Sequence, residues 1–159
     1  MAQASDGLIR DDRGMYYEDF TEGSRIETAG RTITEADIVN YVCMSGDFLP
    51  IHIDHEYCKD MPYGEVIAPG HLAMAVAAGL LAQRGLSTNT VIALLGMDNW
   101  RIRLPITAGM TLRVVQTVTS RRKSSKPGRG IVTWSREILD QNDAVVQTMD
   151  VTVMYKTRA

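Results

Sequence analysis

The sequence predicts one α+β domain in which an antiparallel sheet wraps around a central helix. One stretch, Val66–Arg84, is apolar nearly all round, and such a helix is enclosed by other elements rather than laid on a surface. Gly85 is a suitable stop for it, and four segments with strand patterns follow without another helix. These segments are Val91–Leu104, Thr111–Ser120, Gly130–Leu139 and Ala144–Tyr155. Short turns between consecutive strands favour antiparallel pairing, which gives the α+β architecture.

Shorter elements are expected before the central helix. The pattern of Arg25–Ile33 is typical of a first strand. Thr34 can cap the helix that follows, with the acidic Asp37 three positions on. Asp54 can cap a further short helix that begins at His55.

Composition and charge exclude several classes of protein. A chain of 159 residues is long enough for one domain with a real core. Its formal net charge of −2 argues against a general nucleic-acid binder. The two cysteines, Cys43 and Cys58, form no disulfide framework, and no His or Cys spacing suggests a metal site. Cys43 lies in an apolar helical pattern, so we expect it to be buried.

The N-terminal residues and the apolar runs predict the subcellular location of the protein. Met1–Gly14 is polar and charged and lacks an apolar h-region, so we expect a flexible tail followed by one domain over residues 15–159. The longest apolar run, Leu72–Ala82, is too short to cross a bilayer. We therefore expect a cytoplasmic protein that does not enter a membrane.

The stretch Ser45–Asp54 contains the residues best suited to chemistry. Its acid, Asp47, and its imidazole, His52, are five residues apart across Pro50. In a strand they would be ~16 Å apart on opposite faces, and in a helix they would diverge by ~140°. They can face one target only if the chain bends between them. Pro50 favours such a bend because it restricts its own φ and biases Leu49 away from the helical region.

This stretch resembles the hydratase motif of the MaoC-like dehydratases, the (R)-specific enoyl-CoA hydratases. The motif runs Asp, any residue, Asn, Pro, an aliphatic residue, His, any residue, Asp. The matching residues are Asp47, Pro50, Ile51, His52 and Asp54. Leu49 replaces the Asn, and because Leu makes no hydrogen bonds, the loop geometry and acyl preference are expected to differ.

Four further segments resemble the family in the family's own order. They are Tyr16–Gly23, Arg31–Ile38, Ile67–Leu72 and Leu104–Leu112. Together with the motif they cover most of the chain. The resemblance implies a hot-dog fold and a homodimer in which each site is completed by both chains.

The resemblance also implies a reaction. Asp47 and His52 are the expected catalytic pair, sharing one water that adds to a 2-enoyl-CoA thioester to give an (R)-3-hydroxyacyl-CoA, or the reverse dehydration. No metal or redox cofactor is required, since coenzyme A arrives as part of the substrate. Which member of the pair transfers which proton is open at this point.

The start of the central helix is the expected oxyanion site. Backbone N–H groups at a helix N-terminus have no internal partner, and the helix dipole favours negative charge there. Gly70 is therefore the candidate donor to the thioester oxygen. The alternative is that this position is a glycine only because the packing requires it. The candidate substrate contacts are His71, Leu49 and Pro50. For His71 the alternative is a residue that forms part of the wall of the site without contacting the substrate.

Other readings of the same residues stay open. A hot-dog thioesterase and a non-catalytic subunit that binds acyl-CoA or an acyl carrier are the two rival functions. Five cations around one turn could meet the phosphates of coenzyme A or form a solvated hairpin: Arg121, Arg122, Lys123, Lys126 and Arg129. Arg136 falls on the same strand face as Trp134, where a charge is unexpected.

Overall fold

A six-stranded antiparallel sheet and one long helix dominate the structure, a computed structural model that describes residues 14–158. The strands are β1 (Arg25–Glu27), β2 (Arg31–Thr32), β3 (Val91–Ile102), β4 (Thr111–Lys123), β5 (Arg129–Leu139) and β6 (Val145–Lys156). The helices are α1 (Glu35–Ser45), α2 (Pro50–Ile53), α3 (His55–Cys58) and α4 (Gly70–Gln83), preceded by a 3-10 turn at Tyr17–Asp19. The predicted α+β architecture is confirmed. The predicted tail, apart from Gly14, lies outside the described residues.

The strand order places β3 at one edge of the sheet. Strands run β1–β4–β5–β6–β3, and β2 also pairs with β4. Every pairing is antiparallel. In the middle of the sheet, Arg136 of β5 lies opposite Gln116 of β4 and Met149 of β6. The β3–β6 pairing contains three register shifts, and the last, between Asp98 and Arg101, lies beside the strand end that faces the start of α4.

Helix α4 packs one side against the inner face of the sheet. Its buried residues are Leu72, Ala73, Val76, Ala77 and Leu80, and they join one core with Trp134 and Val114. Small residues on its other side, Ala75, Ala78 and Gly79, are exposed in a single chain. The prediction of a helix enclosed on all sides is therefore wrong for one copy of the chain.

This helix also begins later than predicted, at Gly70 rather than Val66. The residues before it are extended and bonded elsewhere: the N–H of Ile67 donates to Ile51 O at 3.1 Å, and that of Ala68 to Ile106 O at 2.7 Å. Pro69 has an extended ψ of 135° and forms the N-cap. Apolar composition alone did not reveal this boundary, because an extended buried segment is as apolar as a helix.

Two local expectations also differ from the structure. The predicted first strand is two short strands, because Thr28 leaves the regular ladder and its Oγ1 accepts the N–H of Val114 at 3.0 Å. Cys43 was expected to be buried and is exposed. Helix α1 buries only Ile38 and Val42, and the residue after Val42 is rotated by ~100° towards solvent.

Helix α1 begins and ends as the sequence predicts. The Oγ of Thr34 accepts the N–H of Asp37 at 3.2 Å, and Asp37 Oδ2 accepts the N–H of Thr34 at 2.9 Å, which is a capping box. Gly46 ends the helix in the left-handed region, with φ 75°. Within residues 14–158, no helix is long and apolar enough to span a membrane.

The capping box predicts a pH-dependent contribution to stability. The hydrogen bond from the N–H of Thr34 is the largest of the contacts that lower the pKa of the Asp37 carboxyl, with the hydroxyl of Thr34 and the Arg31 guanidinium adding to it. A carboxyl with a lowered folded-state pKa stabilises the fold fully above its ordinary pKa of ~3.9. That contribution is lost as the pH falls through the folded-state value.

We expect Asp37→Asn to lower the free energy of unfolding by ~0.5–1 kcal/mol near neutral pH. The difference from wild type should shrink as the pH falls through the lowered pKa of the carboxyl, because protonation removes the charge that these contacts stabilise. Urea unfolding at neutral and at acid pH measures it, with Glu22→Gln, at an exposed position, as the control. An equal loss at both pH values would contradict the role of the charge.

Candidate active site

The turn after α1 brings Asp47 and His52 to one place. Gly46 turns the chain, Leu49 is extended, and Pro50 begins the one-turn helix α2 that contains His52. Asp47 Oδ2 lies 3.7 Å from His52 Nε2. The predicted bend is present, and it consists of a turn followed by a short helix.

The His52 ring is oriented by a backbone carbonyl. Its Nδ1 lies 2.6 Å from Ile67 O, and because a carbonyl only accepts, Nδ1 must hold the proton. Nε2 is then the unprotonated nitrogen of the neutral ring, and it faces Asp47. Their separation is beyond a direct hydrogen bond and suits one shared water. His52 is 7% exposed and the Asp47 side chain 37%, so solvent can reach the pair from the Asp47 side.

Leu49, the departure from the motif, is the N-cap of α2. No side chain caps this helix. Asn is one of the best N-cap residues because its side-chain oxygen accepts a free N–H of the first turn, and Leu lacks such an oxygen. The substitution therefore removes a cap from the helix that holds His52, while Pro50 at N1 still favours a helix start.

The N-terminus of α4 belongs to the same site. Ile67, which orients His52, is three residues before Gly70, so at most ~11 Å of chain separates their Cα atoms. Within residues 14–158, the N–H groups of Gly70 and His71 have no backbone acceptor. They are free donors at the positive end of the helix dipole.

Gly70 also lies close to side chains of β3. A Cβ at this position would lie 2.5 Å from Cδ1 of Ile102 and 3.4 Å from Cζ2 of Trp100. Its φ is not in the left-handed region. The glycine therefore provides space beside β3, and the free N–H comes in addition, so the two interpretations of Gly70 are compatible.

A buried amide that the sequence analysis missed holds the first turn of α4. Gln147 of β6 is fully buried; its Nε2 donates to Gly70 O at 2.9 Å, and its Oε1 accepts the indole N–H of Trp100 at 3.0 Å. The Trp100 ring lies 4.9 Å from the ring of His71. The sequence signal that could have revealed it is the position of this glutamine in the strand. It faces inward, whereas the other inward positions of the strand are apolar.

The predicted substrate contacts are exposed beside this site. Leu49 is 55% exposed, and Pro50 and His71 are also accessible. Their contact with a substrate stays a prediction. Of the five clustered cations, Arg121 is already engaged, since its Nη1 donates to Phe20 O at 2.7 Å. Among residues 14–158, no group of three His, Cys, Asp or Glu side chains could hold a metal.

Comparison with known proteins identifies the family. The model of a family described as MaoC like domain matches residues 19–137. The chain belongs to this family. The curated protein MaoC of Klebsiella aerogenes is 38% identical over 114 residues, which are 72% of this chain and 33% of that protein. This MaoC-like chain thus spans about a third of the length of that relative.

A second curated relative is named for an activity. The (R)-specific enoyl-CoA hydratase of Rhodospirillum rubrum is 27% identical over 104 residues, which are 65% of this chain and 69% of that enzyme.

Solved structures show the same fold. A monoamine oxidase regulatory protein from Archaeoglobus fulgidus matches with a TM-score of 0.87 and 28% identity over 95% of this chain and all of that one. A Mycobacterium tuberculosis protein described as a double hotdog fold matches with a TM-score of 0.78 and 25% identity, over 91% of this chain and 45% of that one. The predicted hot-dog fold is confirmed.

Proposed function

We propose that this MaoC-like domain reversibly adds water to a 2-enoyl-CoA thioester to give an (R)-3-hydroxyacyl-CoA. The observation that carries the proposal is the Asp47–His52 pair, with Nδ1 of His52 bonded to Ile67 O and its Nε2 3.7 Å from the carboxylate. The relative named as an (R)-specific enoyl-CoA hydratase supports it. The chemistry requires coenzyme A only as part of the substrate.

The orientation of His52 supports one order of proton movements. A water between the two side chains donates one hydrogen to Nε2 of His52 and the other to Asp47 Oδ2. As Nε2 takes the proton, the water oxygen bonds to C3 and the electron pair of the C2–C3 bond moves towards the thioester oxygen. The proton then passes from His52 to C2, so one water is added and the enzyme is unchanged.

The N-terminus of α4 stabilises the intermediate charge. The thioester oxygen carries enolate charge while C2 awaits its proton. The free N–H of Gly70 donates to this oxygen, with the helix dipole adding to its positive potential. The bond from Gln147 to Gly70 O holds the donor in place.

One assay separates the proposed reaction from its rivals. Crotonyl-CoA incubated with the protein should lose its enoyl absorbance without release of free thiol. Free thiol would identify a thioesterase, in which an acid activates water against the thioester carbonyl. Absence of both, with binding of the thioester, would leave a non-catalytic acyl-CoA-binding protein.

We expect Asp47→Asn and His52→Ala each to lower kcat by at least ~10², the low end for loss of a general acid or base. Both variants should remain folded, because neither side chain belongs to the apolar core. Steady-state kinetics and circular dichroism test these points. Wild-type turnover by either folded variant would remove that residue from the mechanism.

The role of the Gly70 N–H can be tested once its packing is relieved. Ile102→Val removes the Cδ1 atom that a Cβ at position 70 would meet. In that background, Gly70→Ala keeps the N–H and Gly70→Pro removes it. The extended ψ of Pro69 suits a following proline, and proline is favoured at N1.

We expect the Pro variant to have a kcat ~10²–10³ lower than the Ala variant, the usual loss for one oxyanion donor. The loss should appear in kcat rather than KM, because the donor acts on the enolate. Equal turnover by the two variants would show that another N–H holds the oxygen.

We further propose that two copies associate through β3. As an edge strand, β3 exposes apolar side chains on both faces, among them Ile92, Leu94, Leu95 and Ile102, which are 40–55% exposed. An apolar edge of this kind is an aggregation hazard unless it is covered. The double hotdog neighbour supports the pairing, since this chain covers 45% of it. Antiparallel pairing of β3 with its own copy would place the start of one strand beside the end of the other.

Sedimentation velocity should give about twice the chain mass of 17.6 kDa. Leu95→Lys should shift the protein to monomer, because a charge on the paired edge opposes association. Val39→Lys, at a comparably exposed position on α1, is the matched control and should remain dimeric. A fully active wild-type monomer would overturn the proposal.

A further inference from the structure

A cavity of about 250 Å³ lies between α4 and the inner face of the sheet. Most of its lining is apolar, including Met74, Leu81, Leu94, Val151 and Val153. An engineered apolar cavity of ~150 Å³ is already large enough to hold benzene. This one can therefore hold a short acyl chain.

One charged side chain, Arg136, lines this apolar cavity. It is 9% exposed, and its Nε and Nη2 both donate to Oε1 of Gln116 at 3.2 Å. Among the ion pairs of residues 14–158, none includes Arg136. Burial lowers the pKa of Arg136 to about 10, so the guanidinium remains charged at neutral pH.

A buried charge without a countercharge is costly, and such groups are ordinarily paired. Gln116 is neutral and supplies only an oxygen, so the positive charge is not compensated within the described chain. The indole N–H of Trp134, in the same lining, is a second buried donor; the Tyr155 hydroxyl lies beside it but outside ordinary hydrogen-bond geometry.

The cavity begins close to the proposed oxyanion donor. Met74 follows Gly70 by four residues, which is ~6 Å of helix. On the sheet, Arg136 lies opposite Met149, two residues along β6 from Gln147, which contacts Gly70 O. That step is ~7 Å. A short acyl chain whose thioester oxygen lies at Gly70 can therefore extend towards Arg136.

We infer that the acyl group of the substrate ends in a carboxylate, which Arg136 binds. The substrate class is then a coenzyme A monothioester of a short unsaturated dicarboxylic acid. The planar guanidinium matches a carboxylate with two parallel N–H donors, and the ligand supplies the countercharge that the cavity lacks. This inference rests on the proposed function for its reaction, although the binding preference can be measured without turnover.

The experiment compares saturated thioesters, which lack the C2–C3 double bond and therefore cannot be hydrated. Calorimetry on the whole protein would measure succinyl-, glutaryl- and adipyl-CoA against butyryl-, pentanoyl- and hexanoyl-CoA, each pair matched in carbon number. At least one dicarboxylic member should bind ~10-fold or more tightly than its neutral counterpart, as expected for a charge-assisted hydrogen bond. If no member of the series does so, the inference is wrong.

Variants at Arg136 test whether this side chain is responsible. Arg136→Met should abolish or reverse the preference, because an apolar side chain of similar length favours the neutral tail. It should fold, since it removes a buried charge whose desolvation is costly and keeps a side chain of similar length. Arg136→Lys keeps the charge without the fork and should retain part of the preference. Arg129→Met, an exposed arginine on the same strand, is the matched control and should leave the ratio unchanged.

The outcomes separate the two proposals. A dicarboxylate preference that Arg136→Met removes, without hydration of any enoyl thioester, would support the binding inference and overturn the proposed reaction. Hydration of hexenoyl-CoA without any dicarboxylate preference would support the reaction and overturn the inference. A preference that persists in Arg136→Met would also overturn it.

Discussion

The rest of the site depends on the hydrogen bond between His52 Nδ1 and the carbonyl of Ile67. It sets the tautomer of the neutral imidazole and directs its Nε2 at Asp47. The carbonyl belongs to the extended segment before α4, so the same contact joins α2 to the start of the central helix. Hydrogen bonds from Ile67 to Ile51 and from Ala68 to Ile106 hold this segment on both sides. A short helix that would be unstable alone is thereby positioned by tertiary contacts.

Burial of polar side chains on the inner face of the sheet is unfavourable for the stability of this fold. Gln116, Arg136 and Gln147 are all buried, on a face of the sheet whose other core side chains are mostly apolar. Gln147 has both its partners, Trp100 and Gly70, and therefore rigidifies the first turn of α4. Among residues 14–158, the guanidinium of Arg136 donates a hydrogen bond only to Gln116. A fully bonded amide is a structural group, whereas an uncompensated charge beside a cavity is the group that we infer to bind a ligand.

In a single chain, two apolar surfaces are exposed to solvent. One side of α4 exposes small residues, and β3 exposes branched apolar residues along an unpaired edge. The sheet covers one side of α4 and leaves the other side exposed. Leu94, on the β3 edge, also lines the cavity, so the proposed association of two copies and the proposed binding of an acyl chain concern adjoining surfaces.

The sequence by itself determined the fold class, the capping of α1 by Thr34 and Asp37, and the bend that brings Asp47 towards His52. These depend on local preferences and on periodicity, which a sequence displays directly. Only the tertiary structure decided the burial and the hydrogen-bond partners of Gln147 and Arg136, because a polar residue in a strand pattern does not reveal whether it will be exposed, bonded or left unpaired. The same holds for the start of α4, since the extended residues Ile67 and Ala68 are held by Ile51 and Ile106, which are distant in the sequence. Contacts between residues that are distant in the sequence depend on how the folded chain packs, so a sequence pattern does not predict them.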